Sequence, residues 1–579
     1  MSAPASRASA WPIIRAYWVS PDSGPGWRLL AAVIALDLAL VWRAARITYW
    51  QKDFYDALQQ LNEAAFWPQL AALAALALTG LVLNTARTWL AQALEMRWRA
   101  WMTEEHLRRW LAGNAFWRLE RDQGDQGEGG GHRGGGLENA DQRVAEDLRM
   151  VASGTLTLGL GLISNFVSLF TFSAIVWGLS GALAITLGGQ TLQVPGYMLW
   201  VAFIYALGGS WAIEKIGGRM VQIDYRQQQA EADFRAALLR IRESAEQIAL
   251  YGGESAERAR LSARFAAVRR NWRDIMNYTK RITIADNAYT EVGALVPYML
   301  QGPRLFKGII TLGDLTQLIQ SFMRVRVALS WFIYKYKDLA LLRSALARLA
   351  EFDAALQAAS GATASAPRIT RQRGPAASGY ALQGVQALGP GGRPLTPVVN
   401  WRIAPGERWM LRGPSGAGKS TLLRALAGLW THGHGHIATP PGAAAAPRAE
   451  ILFVPQQSYL PIDTLRACLA YPALETAFSD DDCQAALRWA CLPALTHRLH
   501  ESAHWARQLS PGEQQRLAFA RIWLHRPRWL FLDEATSALD EETEERLYTR
   551  LTRDLPGLTL VSIAHRSSLR RFHEHEMQL

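Results

Sequence analysis

Charged residues are missing from a long internal stretch of this chain. Between Arg149 and Glu214 there is no Asp, Glu, Lys or Arg. A helix needs about 20 apolar residues to cross a bilayer, so the segment 151–213 predicts two spans and a turn. The turn is expected at GGQTLQVPG, residues 188–196, where Gly and Pro break the pattern. Residues 64–86 form a second charge-free segment, long enough for one more span. A soluble helix of such length carries a polar face, and these segments carry none. Three further candidates hold charges: residues 29–42 with Asp37, 283–303 with Asp286 and Glu291, and 308–334 with Asp314, Arg324 and Arg326. Charge is costly in hydrocarbon. Such residues therefore face a hydrated cavity or partner helices, or lie on helix extensions beyond the bilayer. The pattern predicts six spans.

Polar, Arg-rich, helix-prone stretches fill the gaps at about 87–149 and 214–281. The loop between the third and fourth spans has no charge. The positive-inside rule then places both long stretches and both termini in the cytoplasm. The first apolar run is followed by Arg43 and Arg46 rather than a small-residue cleavage site, so it reads as a retained span. QGDQGEGGGHRGGG, residues 123–136, predicts a flexible loop. The Ala/Ser/Pro/Gly-rich stretch 359–378 predicts an interdomain linker. The expected division is a cytoplasmic segment 1–26, a membrane domain 27–350, a linker 351–378 and a second domain 379–579.

After Gly379 short apolar strands alternate with helices, as in an α/β domain. GPSGAGKS, Gly413–Ser420, matches G-x-x-x-x-G-K-[ST] and follows the apolar strand WMLR. In such a loop, Gly413, Pro414, Ser415, Gly416, Ala417, Gly418, Lys419, Ser420 and Thr421 are the candidate phosphate cradle. The glycines turn backbone N–H groups inward, and the following helix presents its positive end. Lys419 is expected to neutralise phosphate charge, and Ser420 to ligate Mg²⁺. RWLFLDE, residues 528–534, ends an apolar strand in two carboxylates. Asp533 is expected to hold Mg²⁺, and Glu534 to accept a proton from attacking water.

LSPGEQQR, Leu509–Arg516, lies just upstream of that strand and resembles the ABC signature motif. The resemblance extends to Gln456 of PQQ as the Q-loop glutamine and metal contact, SALD (Ser537–Asp540) as the D-loop, and His565 of SIAHR as the switch histidine. Residues 380–579 therefore resemble an ABC nucleotide-binding domain. The resemblance implies two such domains sandwiching two ATP molecules, with Ser510 and Gly512 of one subunit completing the other's site and Asp540 at the interface. Two departures stand out. Pro511 replaces the glycine usual at the third signature position and lacks an N–H, although a first helical turn tolerates it. No aromatic occurs near Leu388–Gly389–Pro390 to stack on adenine, which leaves Tyr380 or Trp401 as candidates.

The membrane half contains ITYWQKDFYDALQQLN (47–62), LENADQRVAEDLRM (137–150) and RIRESAEQIALYGGE (240–254). These resemble bacterial SbmA/BacA-type ABC transporters, themselves similar to peroxisomal acyl-CoA half-transporters. The implied fold is an α-helical six-span membrane domain of the ABC exporter type, followed by an α/β P-loop ATPase domain. Asp141–Arg149 and Glu243–Tyr251 are then expected near the cytoplasmic helices that touch the ATPase domain. The Gly-rich insert departs from the family pattern, as an insertion that a surface loop tolerates.

One membrane domain and one ATPase domain per chain make a homodimer the economical assembly. The expected activity is ATP-driven transport of a bulky hydrophilic solute such as cobalamin or a peptide across the inner membrane. The alternatives are an exporter of peptides, drugs or acyl-CoA-like amphiphiles and, more remotely, an ABC ATPase acting as a channel regulator or on nucleic acid. The expected partners are membrane lipid, a second copy and the solute.

Composition then changes meaning. The 579 residues have a net charge of +12 and a mean hydropathy of −0.04. A near-neutral mean averages apolar spans with a polar domain. Arg is dense on the cytoplasmic stretches, where it meets anionic headgroups, so no nucleic-acid partner is expected. Three Cys, at 468, 483 and 491, exclude a disulfide framework. His432, His434 and His436 of THGHGH are expected in a solvated turn rather than a metal site.

Overall fold

The computed structural model describes residues 11–120, 140–187, 190–360, 368–374, 379–389, 392–440, 450–564 and 566–579. The Gly-rich insert 123–136 and His565 lie outside the described residues. The chain divides into two compact units. One comprises Met1–Trp110 and Gly134–Ala355, the other Leu111–Arg133 and Leu356–Leu579.

The first unit is helical. A short helix α1 (Trp11–Val19) precedes α2 (Gly24–Gln59) and α3 (Glu63–Leu111). A π-turn at Arg143–Asp147 leads into α4 (Leu148–Ser180). After it come α5 (Tyr197–Gly217), α6 (Met220–Glu243), α7 (Ala245–Leu250), α8 (Glu254–Phe306), α9 (Leu312–Tyr334) and α10 (Tyr336–Ser360). Of the first five expected spans, four fall within one of these helices, and the third ends with α4 at Ser180, short of the turn expected at 188. The sixth begins at Leu312 rather than 308, because α8 runs to Phe306 and Gly308, at φ +68°, makes the turn that follows. By length and composition alone, α3 and the helical run ending in α4 are apolar enough to cross a bilayer. Large apolar side chains point outward on these helices, among them Leu78, Leu81, Val82, Phe166, Phe170, Ile204, Leu207 and Met299. An outer apolar band of this size marks a surface built for lipid.

The turn expected at 188–196 is instead the second half of a hairpin. β1 (Ala182–Leu187) pairs antiparallel with β2 (Gln190–Pro195), from Ala182 opposite Pro195 to Leu187 opposite Gln190. The physical reason is that the β-branched Thr191 and Val194 suit a strand. Close packing fixes the junction of α5 and α8. A Cβ on Gly209 would fall 2.0 Å from the Tyr289 ring, so only glycine admits that ring.

The second unit holds two sheets. β3 (Thr370–Arg373), β4 (Tyr380–Ala387), β5 (Val399–Ile403) and β7 (Gly433–Thr439) form one, in the order β3-β7-β4-β5. The other is parallel. Its strands β6 (Arg408–Arg412), β8 (Ile451–Val454), β9 (Trp529–Asp533), β10 (Thr559–Ile563) and β11 (His575–Gln578) run in the order β11-β6-β10-β9-β8. All five residues of β10 are buried, as a central parallel strand requires. The stretch 351–378, expected as linker, is helix to Ser360 and contains β3, which pairs with β7. Thr370–Arg373 shows no apolar alternation that would announce a strand, since Thr370, Arg371 and Gln372 are all exposed. THGHGH is also not a turn: Gly433–Thr439 is a strand between β3 and β4, with Gly435 (φ +95°) packed against the Gly384 backbone.

The core between the sheets includes Tyr380, Trp401, Ile403, Leu422, Leu426, Trp529, Phe531 and Val561. Each such side chain contributes about 1.5–3 kcal/mol through burial. Trp117, from the segment Leu111–Arg133, packs on this same core. A separate cluster joins Leu465, Leu469, Leu487, Trp505, Leu517, Ala520 and Leu524.

Candidate nucleotide site

β6 ends at Arg412, and the loop Gly413–Gly418 leads directly into α11 (Lys419–Ala427). Gly416 and Gly418 adopt φ of +81° and +88°. At Gly418 a Cβ would also strike the Leu395 carbonyl at 2.3 Å, so this corner requires glycine on two counts. The turn aims the first N–H groups of α11 into the loop, where their partial positive charge suits phosphate. Lys419 is buried, and its Nζ donates to the Gly413 and Pro414 carbonyls at 2.7 and 3.0 Å. The ammonium is thus held over the mouth of its own loop.

Ser420, on the first turn of α11, donates to Asp533 Oδ1 at 3.0 Å. Asp533 closes β9 at the carboxyl edge of the parallel sheet, where open α/β sheets bind ligands. Burial holds its carboxyl above the usual carboxylate range. The Ser420 hydrogen bond opposes this, Glu534 adds to it, and Arg424 and Lys419 oppose it in turn. Together with the adjacent hydroxyl the Asp533 carboxyl offers the hard oxygen donors that Mg²⁺ takes, so the residues present fit that ion.

Glu534 follows at φ +49°, left-handed backbone on a non-glycine residue. Its N–H donates to the Ile563 carbonyl at 3.1 Å, and its Oε2 accepts from Gln456 Nε2 at 3.3 Å. Five predicted residues therefore come together around the loop: Lys419, Ser420, Gln456, Asp533 and Glu534.

Ser510, Gly512 and Asp540 are placed differently. Among the described residues no hydrogen bond joins them to residues 413–421. Ser510 caps α12 (Pro511–His525) in a reciprocal capping box: its Oγ accepts from the Glu513 N–H at 3.3 Å, and Glu513 accepts from the Ser510 N–H at 2.9 Å. Those bonds hold the Glu513 carboxyl below the usual range. Pro511 occupies the first helical position, where a missing N–H costs little. Asp540 caps α13 (Glu541–Asp554) by accepting from Thr543 N–H at 2.8 Å.

Two residues given no role by the motif reading organise this region, Gln515 inside the signature motif and Arg521 beyond it. Gln515 donates to Ser537 Oγ at 3.1 Å and accepts from the Ala538 N–H at 2.9 Å, locking the signature helix to the D-loop. Arg521, buried on the same helix, donates to the Cys468 and Tyr459 carbonyls at 2.6 and 2.8 Å. Burial pulls its guanidinium down to about 10. A polar residue on the apolar face of α12 was the available clue to both.

The two adenine candidates are corrected by their burial. Tyr380 is 1% exposed, with its ring edge against Trp529 and Phe531, and burial pushes its phenol up to about 12. Trp401 is buried against Trp409. Neither offers a ring face to a base. Among the described residues no group of three or more His, Cys, Asp or Glu is arranged to hold a metal ion, and the three cysteines are free thiols.

Comparison with known proteins follows the same division. The model for ABC transporter transmembrane region 2 matches residues 13–306, and the ABC transporter model matches residues 397–537. The chain is 32% identical over 558 residues to the inner membrane ABC transporter ATP-binding protein YddA of Escherichia coli (strain K12), covering 96% of this chain and 94% of the relative. It is 26% identical over 601 residues to the lysosomal cobalamin transporter ABCD4 of Homo sapiens, covering 96% and 92%. A bacterial Atm1-family ABC exporter with ATP bound superposes with a TM-score of 0.68 at 19% identity, covering 95% of this chain and 93% of that one.

Proposed function

The chain belongs to the ABC transporters, with a transmembrane domain and an ATP-hydrolysing domain on one polypeptide, and on that footing we propose a homodimeric pump of the SbmA/BacA-like kind. It resides in the inner membrane and uses ATP to carry a bulky hydrophilic solute such as cobalamin or a peptide. The observation that carries the solute class is polar burial within the spans. Gln317, Ser321, Arg326 and Ser330 of α9 are all buried, as is Gln301 of α8. Groups of that kind inside a membrane helix line substrate paths or helix contacts. The relative named as a cobalamin transporter supports the same reading.

In this proposal the loop N–H groups of residues 413–421 and the Lys419 ammonium bind the ATP phosphates. Ser420 and Asp533 hold Mg²⁺, which supplies charge neutralisation at the phosphates. Gln456 lies beside that pair. Glu534 accepts the proton of the attacking water, and His565 steadies the far side of the phosphate. Ser510 and Gly512 complete the partner's site, and Asp540 fixes the D-loop that faces it. Coupling runs through the cytoplasmic ends of the first unit. Leu250 and Tyr251, 80% and 90% exposed at the tip of α7, are apolar groups that need a partner surface.

The test is ATPase turnover of the purified protein in lipid. Glu534→Gln should lower turnover by roughly 10²–10⁴-fold, the range for loss of a general base, while ATP binding persists. Full turnover in that variant removes Glu534 as the base. Proteoliposomes with ATP on one known side test the cargo. ATP-dependent movement of labelled cobalamin or a Pro-rich peptide is expected, and movement of neither overturns the solute assignment.

A further inference from the structure

The first unit holds a buried charge that nucleotide chemistry does not use. Arg326 lies fourteen residues after Leu312 on α9, about 21 Å along the helix at 1.5 Å per residue. Its side chain is 6% exposed. The guanidinium lies over the Tyr289 ring of α8, 4.8 Å from its centroid. Its Nε is buried and has no hydrogen-bond partner. Among the described residues it makes no ion pair.

That isolation is unusual within the unit. Arg87 pairs with Asp37 at 2.9 Å, Arg143 with Asp147 at 3.1 Å, and Arg304 donates to Gln301 at 3.0 Å. Of the two acids flanking Tyr289 in sequence, Glu291 is exposed and makes no ion pair among the described residues, and Asp286 accepts from the Tyr334 hydroxyl at 2.6 Å. The neighbouring rings are also fixed. Tyr205 stacks on Tyr289 at 4.9 Å and donates its hydroxyl to the Tyr289 carbonyl at 2.6 Å. Tyr289 and Ser330 share one hydrogen bond between their hydroxyls at 3.2 Å. Two hydroxyls with one mutual bond leave one proton free to donate. The neighbourhood thus offers a fixed guanidinium, a spare hydroxyl donor and stacked aromatic faces, and among the described residues no carboxylate in ion-pair contact with the guanidinium, Asp286 being held by Tyr334.

We propose that Arg326, with Tyr289 and Ser330, is the subsite for an anionic group of the transported solute, a carboxylate or phosphate ester. The planar guanidinium matches both groups bidentately, and a cargo anion would supply the missing counter-charge. An unpaired cation there also disfavours strongly basic cargo. The proposal rests on the transport reading, but its test does not depend on which solute is carried.

The full-length protein in lipid nanodiscs is treated with phenylglyoxal, and the modification of each arginine is followed by peptide mass spectrometry. Benzyl phosphate and benzyl alcohol serve as matched probes. Arg326 should react, and saturating benzyl phosphate should slow its modification by roughly tenfold through simple mass action, with benzyl alcohol without effect. Arg304 is the internal control and should be insensitive to both. Equal protection by the two probes overturns the proposal, as does an Arg326 that never reacts. An Arg326 that becomes reactive only in Asp286→Asn also overturns it, by identifying Asp286 as its partner. Protection can be read whether or not cobalamin or peptide moves, so failure here is separate from failure of the cargo assignment.

Discussion

Glu534 combines a catalytic assignment with an unfavourable backbone. Left-handed φ costs a non-glycine residue on the order of 1 kcal/mol, and the N–H bond to Ile563 holds Glu534 there. Glycine should relieve that cost while deleting the carboxylate. Glu534→Gly and Glu534→Ala should both lose turnover, yet the glycine variant should unfold at the higher temperature, by about 1 kcal/mol in stability. Equal melting of the two would mean that the conformation carries no strain. Asp540 gives a pH dependence of known sign. The Thr543 N–H bond holds its carboxyl below the ordinary value. Its stabilisation of α13 is therefore fully present above the ordinary carboxylate range and disappears as pH falls through the depressed value. The melting difference between wild type and Asp540→Ala should accordingly be present at neutral pH and vanish in acid.

At the scale of elements, the π-turn before α4 is fastened to α10 by buried charge. Asp147, 2% exposed, accepts from Arg143 at 3.1 Å and from Arg348 Nε at 2.9 Å, with a second bond from Arg348 to its other oxygen. Removing one partner of a buried pair leaves charge without compensation, at about 3 kcal/mol when the partners are well buried. Arg348 is partly exposed, so roughly 2 kcal/mol is expected for Asp147→Asn. Adding Arg348→Gln should recover part of it, as coupled residues do. Additive losses in thermal melts of the four proteins would show that the two side chains act independently. ADQRVAED announced a charged helix in sequence, but its partner is some two hundred residues away, and nothing local marks Arg348. The same holds for Gln515 and Arg521, whose partners lie on other elements. The Gly413–Ser420 loop and the Asp533–Glu534 strand end were legible because each is local, with residue type and backbone shape set by the same few positions. Conversely, Gly433 and Gly435 read as a turn because glycine is the usual breaker, whereas here it lets neighbouring strands approach. Helix α10 outran the expected linker because Ala and Ser do not stop a helix that packing supports.

At the scale of the molecule, the division into two units does not follow one cut in the chain. The polypeptide passes from one unit to the other three times, because Leu111–Arg133 belongs with the second. Trp117 rests on the same core as Tyr380, Phe531 and Ile563. A fragment beginning at Leu356 should therefore expose an apolar bed and aggregate, and a version joined to residues 111–120 should be more soluble. Equal solubility by gel filtration would show that Trp117 adds nothing to that core.

The position of Trp117 also sets an order of events during synthesis. Its bed is finished only when the strand ending at Ile563 has emerged, about 450 residues later, which takes roughly 20–90 s at ordinary translation speeds. Throughout that interval an indole and its neighbours wait in the cytosol while the spans on either side are already being inserted. The apolar face of this short segment is therefore most exposed before the chain is complete.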